Sequence, residues 1–170
     1  GNVLKISDGL FLEAVQTVAE DYPDIELEIV IVDAMAALLV RSPETFDVIV
    51  TTNMYGDILS DEASELAGSL GLAPSINAGD NIAMAQAQHG SAPDIAGQDK
   101  ANPTSLILSM AMLLEWLGRR HNDESLTKAA QAVEEAVHDC LNDPATRTGD
   151  LGGPLGTRAF GQAVADKVKG

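Results

Sequence analysis

The run Ile25-Glu-Leu-Glu-Ile-Val-Ile-Val32 constrains this chain more than any other segment. It begins by alternating apolar and acidic residues and ends continuously apolar, as a strand does when it passes from a sheet edge into a region covered on both faces. Covering both faces takes helices, and the flanking sequence offers them. Residues 9–20 put Leu10, Phe11, Ala14, Val15 and Val18 on one face at helical spacing, behind Ser7-Asp8, a pair able to cap a helix, and Tyr22-Pro23-Asp24 ends the pattern. A short helix is expected over 34–40 and a second strand over Asp47–Thr52. A third strand is expected over Asn2–Ile6, and 54–70 reads as a loop running into a helix. Strands alternating with helices argue an α/β fold.

Past residue 70 the rhythm changes. Residues 71–80 are rich in turn formers, 82–88 could add a strand, and 89–102 (HGSAPDIAGQDKAN) form a 14-residue loop without periodicity, the kind that carries function or moves. Asn102-Pro103 supplies a capping side chain and a proline for the start of a helix over 103–117. That helix is apolar nearly all round and so is expected to be buried on most sides; at roughly 15 residues it is too short to span a membrane. An amphipathic helix over 124–141 and a last helix over 156–168 complete a helix-rich tail, either a bundle or one outer layer of the sheet.

With 45% hydrophobic residues the chain can bury a core, while 26 Asp and Glu against 10 Lys and Arg leave a net charge of −16. That balance argues against nucleic acid and against an anionic membrane surface as partners. The acidity is uneven: residues 1–70 carry net −12 and residues 71–170 net −4. The single cysteine, Cys140, cannot form an intrachain disulfide and sits among apolar neighbours, as expected of a core residue in a reducing cytoplasm. The first residues show no signal-peptide pattern and no initiator Met, so the start is expected to be processed or to continue a longer polypeptide.

Three constellations could carry chemistry. Asp57 and Asp61, four residues apart in GDILSD, would share one helix face, where two carboxylates suit a hard divalent ion; alternatively Asp57 sits favourably in the first helical turn and Asp61 is merely solvated. Asp33 follows an apolar strand, where α/β sheets place their sites, or else caps the next helix. In HGSAPDIAG (89–97), small residues allow a ligand to approach the backbone and Asp94 could accept hydrogen bonds from ribose hydroxyls; a purely structural loop is the other reading. The GxGxxG fingerprint is absent, and His121 and His138 read as surface residues.

NMYGDILSDEASELAGSLGLAPS (53–75), HGSAPDIAGQDKANP (89–103) and DLGG (150–153) together resemble the isocitrate and isopropylmalate dehydrogenases, metal-dependent β-decarboxylating enzymes. The resemblance runs over the whole chain and implies the C-terminal half of that fold, a mixed sheet with flanking helices. Residues 1–67 would be part of the smaller substrate, metal and dimerisation domain, and 68–170 part of the larger cofactor-binding domain. It implies a cytoplasmic homodimer that oxidises a small 2-hydroxy acid with NAD and then releases CO₂. Isocitrate is the favoured substrate, then 3-isopropylmalate, then tartrate or malate. By matched positions, Asp57 and Asp61 would bind Mg²⁺ or Mn²⁺ from one subunit and Asp33 from the other, with Asp33 also assisting removal of the hydroxyl proton. His89, Gly90, Ser91, Ala92, Asp94, Ile95 and Asn102 would hold the cofactor's adenosine. Relatives that use NADP carry a basic residue and an aromatic where Asp94 and Ile95 stand.

Two departures accompany the match. Ala85-Gln86-Ala87-Gln88 replaces the FEAV or FEPV that usually precedes the family's HG, which alters the nicotinamide end of the site. The family's substrate-binding serine and arginines and its catalytic tyrosine and lysine lie upstream of the segment matched here. The isolated chain is therefore expected to be inactive; the alternative is a short non-catalytic relative that acts as a binding or regulatory partner.

Overall fold

Where apolar residues recur at helical spacing, helices form. The computed structural model describes residues 4–169, and among them six α-helices and two β-strands build an α/β architecture. The chain resolves into two compact units, Gly1–Ala63 and Ser64–Gly170; the boundary suggested by the sequence lies four residues later, at 67/68.

The first unit carries α1 (Ser7–Ala19), α2 (Val32–Arg41) and most of α3 (Asn53–Leu66). Its core is small: Met35 and Leu39 from α2 and Leu59 from α3 are buried, with Val30, Val32, Ala36 and Phe46 packed against them. Several sequence expectations change here. Residues 4–6 turn into α1 rather than forming a strand, as Asp8 N–H donates to the Leu4 carbonyl; Asn2 and Val3 lie outside the described residues. Ser7 and Asp8 consequently stand inside the helix, with Ile6 as the capping residue and no side-chain cap bond. Helix α3 starts directly at Asn53, without an introductory loop.

The larger correction concerns the strands. Residues 26–31 and 48–52 carry no strand pairing. Val30 and Val32 reach the small core while the alternate set, Ile25, Leu27, Ile29 and Ile31, is exposed, so the period of two survives without a ladder. A strand exists only with a partner to take its N–H and C=O groups, and the described residues offer these runs none.

The second unit is layered on α4 (Thr104–His121). A hairpin of β1 (Pro74–Ala78) and β2 (Ala83–Ala87) packs on one part of it and α5 (Glu124–Asn142) on another, with α6 (Thr157–Lys169) against α5. The sheet present is this antiparallel pair, with Ser75 opposite Gln86; β1 arises inside the stretch read from the sequence as turns. Ala136, Val137, Cys140, Phe160 and Val164 form the core, with Ile107 and Leu108 of α4 packed on it. Burial pushes the Cys140 thiol up, in keeping with an inert core residue. Helix α4 is less enclosed than its composition suggests, since Leu106 and Met110, one turn apart, are both more than half exposed. No helix among the described residues is long and apolar enough to cross a membrane.

Two hydroxyls fasten the hairpin to α4. Ser109 Oγ accepts the Ser75 N–H (3.0 Å) and donates to the Gln86 carbonyl (2.7 Å) across the hairpin. One helical turn earlier, Ser105 Oγ accepts the Gln88 N–H (3.1 Å) and donates to the Ala73 carbonyl (2.5 Å). Each serine is fully buried and bridges one residue pair of the hairpin, satisfying an N–H and a C=O that would otherwise be stranded.

A third fastening is ionic. Asp150, in the turn Gly149–Leu151, accepts hydrogen bonds from Ser69 Oγ (2.7 Å) and Asn102 Nδ2 (3.0 Å) at one oxygen and from Thr148 Oγ1 (2.5 Å) at the other. Burial pushes its carboxyl up, but the bonds from Thr148, Asn102 and Ser69 together outweigh burial and hold it below its ordinary value. Beside it, a Cβ on Gly153 would stand 2.2 Å from the Arg147 carbonyl oxygen, so that turn admits no side chain there.

Two predictions follow from these fastenings. Ser105→Ala or Ser109→Ala should each lower the unfolding free energy by about 1–3 kcal/mol, because backbone groups lose their partner in a dry interior; urea denaturation measures this, and amide exchange should quicken at Gln88 or Ser75 respectively. For Asp150, the folded value lies below the unfolded one, so the folded state binds fewer protons. Its contribution is complete above about pH 4, the ordinary carboxylate range, and is lost as pH falls through the lowered folded value. Stability measured against pH should therefore fall less steeply on acidification in Asp150→Asn than in the parent.

Candidate functional site

Residues 89–102 leave β2 and return to α4 through a chain of constrained conformations. Ala92 at φ +41°, Gly97 at φ +74° and Asp99 at φ +57° are all left-handed. Glycine takes that region freely and aspartate tolerates it, but for an alanine it costs about 1–2 kcal/mol, so the surrounding structure must hold Ala92 in place. The return half is pinned to the start of α6. Asp99 Oδ1 accepts the Arg158 N–H (2.9 Å), the Asp99 carbonyl accepts the Thr157 N–H (3.2 Å), and Thr157 Oγ1 donates to the Ala101 carbonyl. The approach is close enough that a Cβ on Gly156 would stand 2.5 Å from the Asp99 carbonyl oxygen.

Beneath this loop lies an open cavity of about 600 Å³. His89, Gly90, Ser91, Ala92, Ile95 and Asn102 line it, so the structure brings together six of the seven residues expected to hold a cofactor. Asp94 is not among the lining residues; it is exposed in the turn Pro93–Ile95, its backbone carbonyl accepting from Gln98 Nε2 (2.7 Å). Asn102 is buried and locked at both ends of its amide, since Oδ1 accepts the Thr104 N–H (3.0 Å) while Nδ2 donates to Asp150. His89 is half-buried, its Nδ1 2.9 Å from the Gly90 carbonyl oxygen. A wall of small residues and exposed loop backbone, with one fixed amide and the carboxylates of Asp99 and Asp150, suits a flat polar ligand with hydroxyl groups.

The three carboxylates expected to hold a metal belong to the first unit. Asp57 and Asp61 stand one turn apart on α3, both exposed. Asp33 lies in the first turn of α2, exposed, with Oδ1 accepting the Ala34 N–H (2.8 Å). Among the described residues no three His, Cys, Asp or Glu side chains gather closely enough to hold a metal. The pair on α3 offers hard carboxylate oxygens of the kind Mg²⁺ and Mn²⁺ take, with room left for water or substrate oxygens.

Sequence reasoning missed a good part of the cavity wall. Ser69, Gly71, Asp99, Lys100, Asp150 and Arg158 also line it, drawn from four separate segments. All but Arg158 fall within the motifs 53–75, 89–103 and 150–153, which gave none of these residues a role. The Gln86–Gln88 departure also acquires a structure. Gln86 is exposed with its carbonyl bound by Ser109, whereas Gln88 is partly buried and its Nε2 donates to Ser64 Oγ (3.2 Å), a residue near the end of α3.

Comparison with known proteins bears on what these features mean. The profile of the isocitrate/isopropylmalate dehydrogenase family matches residues 1–164. An isocitrate/homoisocitrate dehydrogenase of Thermus thermophilus is 52% identical over 168 residues, 99% of this chain and 48% of that protein. An NAD isocitrate dehydrogenase catalytic subunit of Arabidopsis mitochondria is 45% identical over 98% of this chain and 43% of its own length. The crystal structure of isocitrate dehydrogenase from Methylococcus capsulatus superposes with a TM-score of 0.92 at 44% identity, covering 99% of this chain and 48% of that one. The chain thus spans about half the length of the relatives it matches. It belongs to the isocitrate/isopropylmalate dehydrogenase family.

Proposed function

We propose that the chain is the C-terminal portion of an NAD-dependent oxidative decarboxylase of a 2-hydroxy acid, with isocitrate the favoured substrate and Mg²⁺ or Mn²⁺ the required ion. The observation that carries the reading is the cavity under residues 89–102, which is lined by six of the seven residues matched to the family's adenosine-binding motif. Relatives named as isocitrate/homoisocitrate and NAD isocitrate dehydrogenases support the substrate class and the cofactor.

In this reading each residue has a chemical task. The loop backbone from His89 to Ala92 lies against the adenosine, and the locked amide of Asn102 presents one fixed edge to the adenine. Asp94 accepts hydrogen bonds from the ribose hydroxyls and repels a 2′-phosphate, which favours NAD over NADP. Asp57 and Asp61 of one subunit and Asp33 of its partner hold the ion in a homodimer. The ion would supply Lewis-acid polarisation of the substrate oxygens and NAD would supply the hydride acceptor. Asp33 accepts the hydroxyl proton as oxidation proceeds. The mitochondrial names of several relatives notwithstanding, the single buried Cys140 suits a reducing compartment, and we place the protein in the cytoplasm.

Kinetics test this directly. The purified 170-residue chain should turn over none of isocitrate, 3-isopropylmalate or tartrate with Mn²⁺ and NAD⁺, while a polypeptide extended upstream to the length of the relatives should oxidise isocitrate fastest. In that longer enzyme Asp57→Asn should weaken Mn²⁺ binding by roughly 100-fold or more, at least what loss of an outer-shell partner costs a metal site. Turnover by the short chain alone, or unchanged Mn²⁺ affinity in the variant, would overturn the assignment.

A further inference from the structure

Five of the eight basic residues of the second unit are engaged, and Lys169 is exposed at the end of α6. Arg119, Lys128 and Lys167 pair with Glu115, Glu124 and Asp139. Arg120 donates to the Asp80 carbonyl and Asn81 Oδ1 and lies 5.4 Å from the Trp116 ring centre. Arg147 donates through Nε to the Leu141 carbonyl (2.6 Å). Lys100 and Arg158 stand apart: both line the cavity, and neither side chain makes a hydrogen bond or ion pair among the described residues. They come from distant segments, yet Asp99 joins them, because it precedes Lys100 in the loop and binds the Arg158 N–H with its carboxylate. The bond to Asp99 uses the backbone of Arg158, so its guanidinium stays available.

We propose that Lys100 and Arg158 form a two-cation clamp for a phosphate group of an adenine nucleotide bound in the cavity. The inference rests on reading that cavity as the nucleotide site and goes beyond it by naming the groups that take the charge. Both residues are exposed where they line the open cavity, so an anion bound there would meet them without displacing a protein partner. A guanidinium and an ammonium facing one space match phosphate oxygens, the first through its planar fork and the second as a point charge. The phosphate is that of the diphosphate bridge, in keeping with Asp94 repelling a 2′-phosphate; a clamp found to hold a 2′-phosphate instead would overturn the preference for NAD.

Titration calorimetry on the full 170-residue chain tests the clamp, with adenosine, ADP, adenosine 2′,5′-bisphosphate and inorganic pyrophosphate as probes. The parent should bind ADP or the bisphosphate more tightly than adenosine, by about tenfold for each cation engaged. The better of the two identifies which phosphate is held. Lys100→Met with Arg158→Gln should abolish that preference and leave adenosine affinity unchanged, while Lys100→Arg with Arg158→Lys should restore most of it. Equal binding of adenosine and both phosphorylated probes by the parent, or a preference that survives the double charge removal, overturns the clamp. If no adenine compound binds but pyrophosphate binds the parent and not the charge-removed variant, the clamp stands and the nucleotide reading of the cavity falls. Failure of all four probes overturns both.

Discussion

Everything the 89–102 loop does depends on two serine hydroxyls of α4. The hairpin is short, and two antiparallel strands are marginal in water by themselves. Ser105 and Ser109 bind it to a helix that is itself fixed by the core of α5 and α6. Because Ser105 takes the Gln88 N–H, the point where the loop departs is set by the first turn of α4; because the Thr104 N–H binds Asn102, the loop returns to that same turn. A 14-residue segment with both feet on one helical turn has a small end-to-end span to maintain, and further anchors at Asp99 and Asp150 then select its path. The cavity is the space this arc encloses, so its shape follows from helix side chains that never enter it.

How much of this was legible in the sequence differs between the two units, for a physical reason. In the second unit Ala130, Ala136, Val137 and Cys140 are buried within the chain and the helix expected over 124–141 agrees to one residue, while the one expected over 103–117 runs four residues further, to His121. In the first unit the strand pattern of Ile25–Val32 is real but describes what the segment is suited for, and pairing requires a neighbour. Periodicity is a local property and a ladder is a relation between segments. The exposed alternate face of that run and the uncovered Leu106 and Met110 on α4 express the same fact, apolar surface without a counterpart among the described residues, in a chain that spans about half of its relatives' length. The strand β1 was missed for the opposite reason: Pro74, Asn77 and the nearby glycines read as turn formers, and only the hydroxyl bridges from α4 make a strand of that segment.

The candidate site divides along the same line. Residues whose placement depends on their own spacing, such as Asp57 and Asp61, could be put on one helix face from sequence. Asp150 could not, because its importance comes from where Ser69, Asn102 and Thr148 happen to converge. Those three donors belong to three segments, and together they make an exposed carboxylate, partly desolvated by the loop, into a junction that stays ionised. Gln88 is similar: as a departure from a family motif it looks like a loss, yet its amide reaches Ser64 and so gives β2 a polar tie to the end of α3.

The net charge of −16 now separates into two scales. Over distances beyond a Debye length, about 8 Å in physiological salt, exposed acids act only as a diffuse field, which opposes extended polyanions that must approach across a wide surface. A small ligand inside a cavity answers to the few groups within that length. There the balance is different: Asp150 is already committed to three donors and Asp99 to the start of α6, so neither carboxylate faces a ligand with its full hydrogen-bonding capacity, while Lys100 and Arg158 are uncommitted. In the proposed clamp, an acidic protein would hold an anionic nucleotide because its local acids are internally satisfied and its local bases are not. The same carboxylates that bind the loop into shape thereby free its cations for a ligand.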